Sequence, residues 1–116
     1  MGYYTRFNLE YEPVKGFTIT PEQLTELREE FAKALGFTEA FDELTSGDCP
    51  EWKWYECTED MTKIAQKFPN ILFTLEGEGE DREDWWIEQF CGETYHRSNA
   101  EIVPPTLMLR ADDFSV

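Results

Sequence analysis

The sequence predicts an α+β fold: a mainly antiparallel sheet of four to five strands with two main helices packed on one face, in the order β-α-(short α)-β-α-β-β-β. Three observations lead there. Residues 3–11 and 71–76 alternate with a period of two. Residues 24–35 and 61–68 repeat apolar side chains at helical spacing. The strand-like runs 71–76, 84–91 and 93–103 follow one another with only short turns between them, as hairpins do.

The first strand is read from Tyr3, Thr5, Phe7, Leu9 and Tyr11, which alternate with Tyr4, Arg6, Asn8 and Glu10. Pro13 and Gly16 are expected to end it. Thr20, Pro21 and Gln23 then form a helix start: an N-cap, a proline in the first turn and a capping-box glutamine. Leu24, Leu27, Phe31, Ala34 and Leu35 mark the helix's apolar stripe, and Gly36 is placed to cap its C-terminus. Phe37, Phe41 and Leu44 suit a short second helix capped by Thr38. After the loop SGDCP, the aromatic run EWKWYEC at 51–57 reads as a strand. Thr58 is expected to cap the next helix, with Glu59 and Asp60 in its first turn and Pro69 beyond its end. In the strand 71–76, Ile71, Phe73 and Leu75 face one way and Leu72, Thr74 and Glu76 the other. An acidic turn leads to the returning strand DWWIEQFC, in which adjacent Trp85 and Trp86 must point to opposite faces.

A chain of 116 residues, 41% hydrophobic and 16% aromatic, suits a single domain over 1–116 with one core. Residues 104–116 then form an edge strand or a tail. No apolar run reaches 18 residues, so no membrane helix is expected. The start MGYYTRF lacks the charged-then-apolar pattern of a secretory leader, and Arg6 breaks the myristoylation motif. Three widely spaced cysteines, Cys49, Cys57 and Cys91, argue against a disulfide framework and for a reducing, cytoplasmic setting.

Charge is the dominant compositional signal. The formal net charge is -15. Residues 20–60 carry twelve acids against three bases, and residues 76–84 carry six acids and Arg82. Such a chain repels nucleic acid and anionic membranes and attracts basic partners. A net charge of magnitude about 2–8 is enough to keep a small domain soluble, so the excess asks for a further purpose.

The acidic turn is a poor metal site by spacing, because it lacks the ordered Asp/Asn, Gly and distal Glu offsets of a calcium loop. Cys91 and His96 have no second ligand pair for zinc. His96 is the sole histidine, and no nucleophile-elbow or phosphate-loop motif is present. No catalytic residue, metal or cofactor is therefore assigned. Glu76, Glu78, Glu80, Asp81, Glu83, Asp84, Trp85 and Trp86 are the candidate partner-binding residues, because they join concentrated charge to tryptophan, a frequent interface anchor.

KWY (53–55), EDM (59–61), KFP (67–69), LFTLEGEGE (72–80) and DWW (84–86) together resemble a core found in small uncharacterised phage and prophage proteins. The resemblance spans residues 52–90. It implies a viral or mobile-element setting, a small α+β domain and a host-cell cytoplasmic location, and it brings no catalytic residue. Taken with the charge, the expectation is a non-enzymatic inhibitor of a basic, nucleic-acid-handling host protein, an anti-defence protein acting as a nucleic-acid mimic. A structural or assembly module, including a homo-oligomer, is the alternative, followed by a small metal-binding protein or enzyme. Acids of 20–60 and 76–84 merging into one stripe beside an exposed tryptophan would favour the inhibitor; acids scattered over all sides would favour a merely solvated charged surface.

Overall fold

A computed structural model describes residues 4–79 and 85–99. β1 (Thr5–Pro13), α1 (Pro21–Leu35), α2 (Ala40–Thr45), β2 (Glu51–Trp52), α3 (Cys57–Lys67), β3 (Ile71–Gly79), β4 (Trp85–Cys91) and β5 (Thr94–Asn99) follow in chain order. The strands form one five-stranded sheet in the order β2-β1-β3-β4-β5. Every pairing is antiparallel. The expected α+β fold, with its element order, is thus the observed one.

Period-two alternation decides what each strand buries. Phe7 and Leu9 of β1, Ile71, Phe73 and Leu75 of β3, and Trp86 and Phe90 of β4 enter one core. Leu27 and Phe31 of α1, Phe41 and Leu44 of α2, and Met61 and Ile64 of α3 close it from above. Fully burying a side chain of this size is worth about 1.5–3 kcal/mol, so this stripe outweighs helix propensity in holding the short α2 and α3. A smaller cluster, Val14, Leu72 and Cys91, lies apart from it.

The start of α1 matches its sequence signals. Thr20 accepts from the Gln23 amide at 3.2 Å, and the Gln23 side chain accepts from the Thr20 amide at 3.1 Å. Gly36 ends the helix at φ 87°, a left-handed conformation that glycine adopts without penalty. Lys67 ties α3 to α1 through Glu30 at 2.7 Å, and Arg28 ties α1 to α2 through Asp42 at 3.0 Å.

Four expectations are corrected. β2 is only two residues long, Glu51–Trp52, because the chain leaves the sheet at Lys53 and turns through Tyr55 and Glu56 into α3. α3 starts at Cys57 with Glu56 as its N-cap, so Thr58 does not cap it. α2 is preceded by Glu39, not capped by Thr38. β3 runs through Gly79, beyond the expected 71–76, so Gly77 and Glu78 belong to the strand and not to the turn, whereas β1 ends at Pro13 as expected, with Pro13 paired to Ile71. The strand expected over 93–103 is described as Thr94–Asn99, and the edge strand or tail expected at 104–116 lies outside the described residues.

Candidate functional site

The helices pack on one face of the sheet, and the alternation that buries Phe7, Leu9 and Leu75 beneath them sends their neighbours to the other face. Across that second face the register gives one row of Glu51, Arg6, Glu78 and Trp85. The next row holds Asn8, Glu76 and Ile87, and Glu10 and Glu12 extend it along β1. Five carboxylates, Glu10, Glu12, Glu51, Glu76 and Glu78, therefore share this face with Arg6. All but the half-buried Glu76 are exposed. Directly opposed side chains on paired strands have Cβ atoms about 4.5–5.5 Å apart, so these charges feel one another.

Trp85 completes the patch. It is half-buried on β4, and its indole Nε1 donates to Glu76 Oε2 at 2.8 Å. One tryptophan and one glutamate of the acidic motif are thus held together in a fixed geometry. Glu78 sits directly across from the same Trp85.

Trp86 is placed elsewhere. It lies on the helix side, 8% exposed, with its ring 6.1 Å from that of Phe7 and the Arg97 guanidinium 5.3 Å above it. Its cross-strand partner is Gly77. A Cβ at residue 77 would come within 2.7 Å of the Trp86 Cη2 and nearer still to Cζ2. Gly77 is therefore the space into which the indole packs, and its flanking glutamates point away from that ring. Of the remaining candidate residues, Glu80, Asp81, Glu83 and Asp84 lie outside the described residues.

Among the described residues, the acids of 20–60 and those of 76–84 do not merge into one stripe. Glu22, Glu26 and Glu29 belong to α1, Asp42 and Glu43 to α2, and Glu59 and Asp60 to α3, all in the helical layer. Only Glu51 of that segment reaches the sheet face through its pairing with Arg6. Glu10 and Glu12, from the charge-balanced N-terminal stretch, contribute instead.

One polar centre escaped the sequence reading. Glu88 lies on the helix side of β4 and is 0% exposed. Thr58 Oγ1 is 2.9 and 2.8 Å from its two carboxylate oxygens, and the Tyr95 hydroxyl donates to Oε2. Arg97 Nη1 is 3.5 Å from Oε2. Donors from α3 and β5 thus converge on a group whose burial would otherwise be costly. Burial, reinforced by the Glu88 charge, pushes the Cys57 thiol up to about 11. Burial, with the hydrogen bond to Glu88 and its charge, pushes Tyr95 up to about 12. Both groups are thereby held in the protonated form at neutral pH. An acid at a core-phase position of the run Trp86, Glu88, Phe90 was the available signal.

Among the described residues no group of three or more histidine, cysteine, aspartate or glutamate side chains is arranged to hold a metal ion. Among the same residues no helix is long and apolar enough to cross a membrane. No family model, curated protein or solved structure matches this chain.

Proposed function

We propose that this chain is a small acidic, non-enzymatic binding protein of phage type. In this reading it inhibits a basic, nucleic-acid-handling protein in the host cytoplasm by occupying that protein's nucleic-acid surface. One observation carries the reading: five carboxylates share a sheet face with Trp85, four of them exposed toward the β1–β2 side, while Leu72, Ile87, Gln89 and Cys91 on the same face are buried toward β4. Along a strand, carboxylates two residues apart repeat at about 6.7 Å, and neighbouring strands are about 4.8 Å apart. The resulting grid pairs negative charges along the strands, Glu10 with Glu12 and Glu76 with Glu78, as successive phosphates are paired along a backbone, while Arg6 faces Glu51 and Glu78 across the strands. The net charge of -15 steers basic partners toward the molecule, and the grid gives them a place to dock.

The test compares two variants of equal charge. In one, Glu10, Glu12, Glu76 and Glu78 become glutamine; in the other, Glu22, Glu26, Glu29 and Glu43 do. Each is immobilised and challenged with host proteins at low and high salt, with duplex DNA added as competitor. The sheet-face variant is expected to lose basic, nucleic-acid-binding proteins that salt and DNA displace from the native protein, while the helical variant retains them. Equal losses from both variants, or capture that DNA does not compete, would overturn the proposal.

A further inference from the structure

A pocket of about 430 Å³ opens on the helical side of the molecule, between the end of α1, residues 52–56 and the first turn of α3. That volume lies in the range of small-ligand sites, about 300–1,000 Å³. Its walls are largely aromatic: Phe37, Trp52, Trp54 and Tyr55 line it. Phe37 and Trp52 meet nearly at right angles, 89°, with ring centroids 5.2 Å apart. Trp54 continues the wall, 6.4 Å from Trp52. Tyr55 is 67% exposed, so its ring stands at the mouth.

Two carboxylates, Glu56 and Asp60, share this lining. Asp60 accepts the Trp54 indole hydrogen bond through Oδ2 at 2.7 Å, which fixes the ring and the acid relative to each other. Glu56 is the N-cap residue of α3, yet its side chain makes no capping hydrogen bond. The helix N-terminus brings roughly half a positive charge. Glu56, Glu59 and Asp60 together outweigh it. Lys53 is the one cation of the lining, and its ammonium lies 4.8 Å from the Tyr4 ring, which is not part of the pocket wall. Its charge is engaged at that ring.

Aromatic faces joined to carboxylates recognise organic cations. We infer that this pocket receives an arginine side chain of a basic polypeptide partner. The guanidinium plane can stack on an indole face while its edge donates to a carboxylate, a combination a point-like ammonium does not match. The inference rests on the basic-partner reading for its source of arginine and assigns a second, separate contact on the opposite layer of the molecule. Trp52 of the pocket and Glu51 of the acidic face are neighbours in β2, so a partner gripping that edge reaches both.

The test uses N-acetyl-arginine amide, its neutral isostere N-acetyl-citrulline amide, and N-acetyl-lysine amide. Each is titrated into the full chain while the indole signals of Trp52 and Trp54 are followed by NMR. The arginine probe is expected to shift both indoles saturably and to bind at least about fivefold more tightly than either control. Glu56→Gln and Asp60→Asn, which keeps an acceptor for Trp54, are each expected to weaken it by about fivefold or more. The sheet-face variant should bind the probe as the native protein does, which separates failure of this pocket from failure of the acidic face. Equal binding of citrulline or lysine, shifts that miss Trp52 and Trp54, or no shift at all would overturn the assignment.

Discussion

Replacing Gly77 with alanine adds a single methyl group, and its cost measures how tightly the indole of Trp86 is held. In most strands the exchange would help, because alanine loses less backbone freedom on folding, by about 0.4–1 kcal/mol. Here the new Cβ falls inside the Trp86 ring's space, within 2.7 Å of Cη2. The ring has little room to retreat, since Phe7 meets it at 6.1 Å and Arg97 covers it at 5.3 Å. Overpacking of this kind costs about 1–3 kcal/mol. The clash therefore wins, and Gly77→Ala is expected to destabilise the protein by about 1–2 kcal/mol, lowering the melting temperature by roughly 4–10 °C. Urea denaturation followed by circular dichroism reads the free energy directly. Repeating the exchange in a Trp86→Leu background isolates the cause: there alanine should cost under about 0.5 kcal/mol, giving a coupling of about 0.5–2 kcal/mol. A stabilising Gly77→Ala, or an unchanged cost without the indole, would refute the reasoning.

Four further outcomes follow from named residues. Glu88→Ala should cost roughly 2–4 kcal/mol by stranding Thr58 and Tyr95 and leaving a gap, and Glu88→Gln about 1–2, since an amide oxygen still accepts; chemical denaturation ranks the two. Because Tyr95 is raised above its unfolded value of 10.0 to about 12, its contribution to stability is complete below pH 10 and lost as pH rises toward 12. Ultraviolet titration of Glu88→Gln should show one phenol moving down toward 10. In the native protein a thiol reagent near pH 8 should label Cys49 first, because burial raises the thiols of Cys57 and Cys91; mass mapping of simultaneous labelling at all three would contradict this. Thr20→Ala should cost about 0.5–2 kcal/mol, read by thermal melting, by removing the side-chain half of the α1 capping box.

Local signals with a single physical solution carried over well from sequence to structure. The capping box at Thr20 and Gln23, the glycine stop at Gly36 and the alternation through Ile71, Phe73 and Leu75 each need no distant partner to be read. Failures came where a distant residue decided. Thr58 looked like a cap, but its hydroxyl serves Glu88, thirty positions away in the chain. The 51–57 run had strand composition, yet two indoles and Phe37 drew it into a packed corner. Part of the candidate site was legible: Glu76, Glu78 and Trp85 do share a face, while Trp86 was committed to the core by the parity of its strand. Glu10, Glu12 and Glu51 were invisible as members, because only the register of β1 against β2 and β3 brings them beside Glu76 and Glu78.

In the proposed function, the position of the carboxylates, rather than total charge, makes the sheet face a docking surface. The most direct measurement is the association rate with a basic protein retained by the native chain, taken across ionic strength for the native protein and the two four-glutamine variants. Neutralising Glu10, Glu12, Glu76 and Glu78 is expected to slow association by about tenfold or more at low salt and to flatten its salt dependence. Neutralising Glu22, Glu26, Glu29 and Glu43 should change the rate by less than about threefold. Equal slowing by the two variants would show that net charge alone governs binding, and would contradict the account.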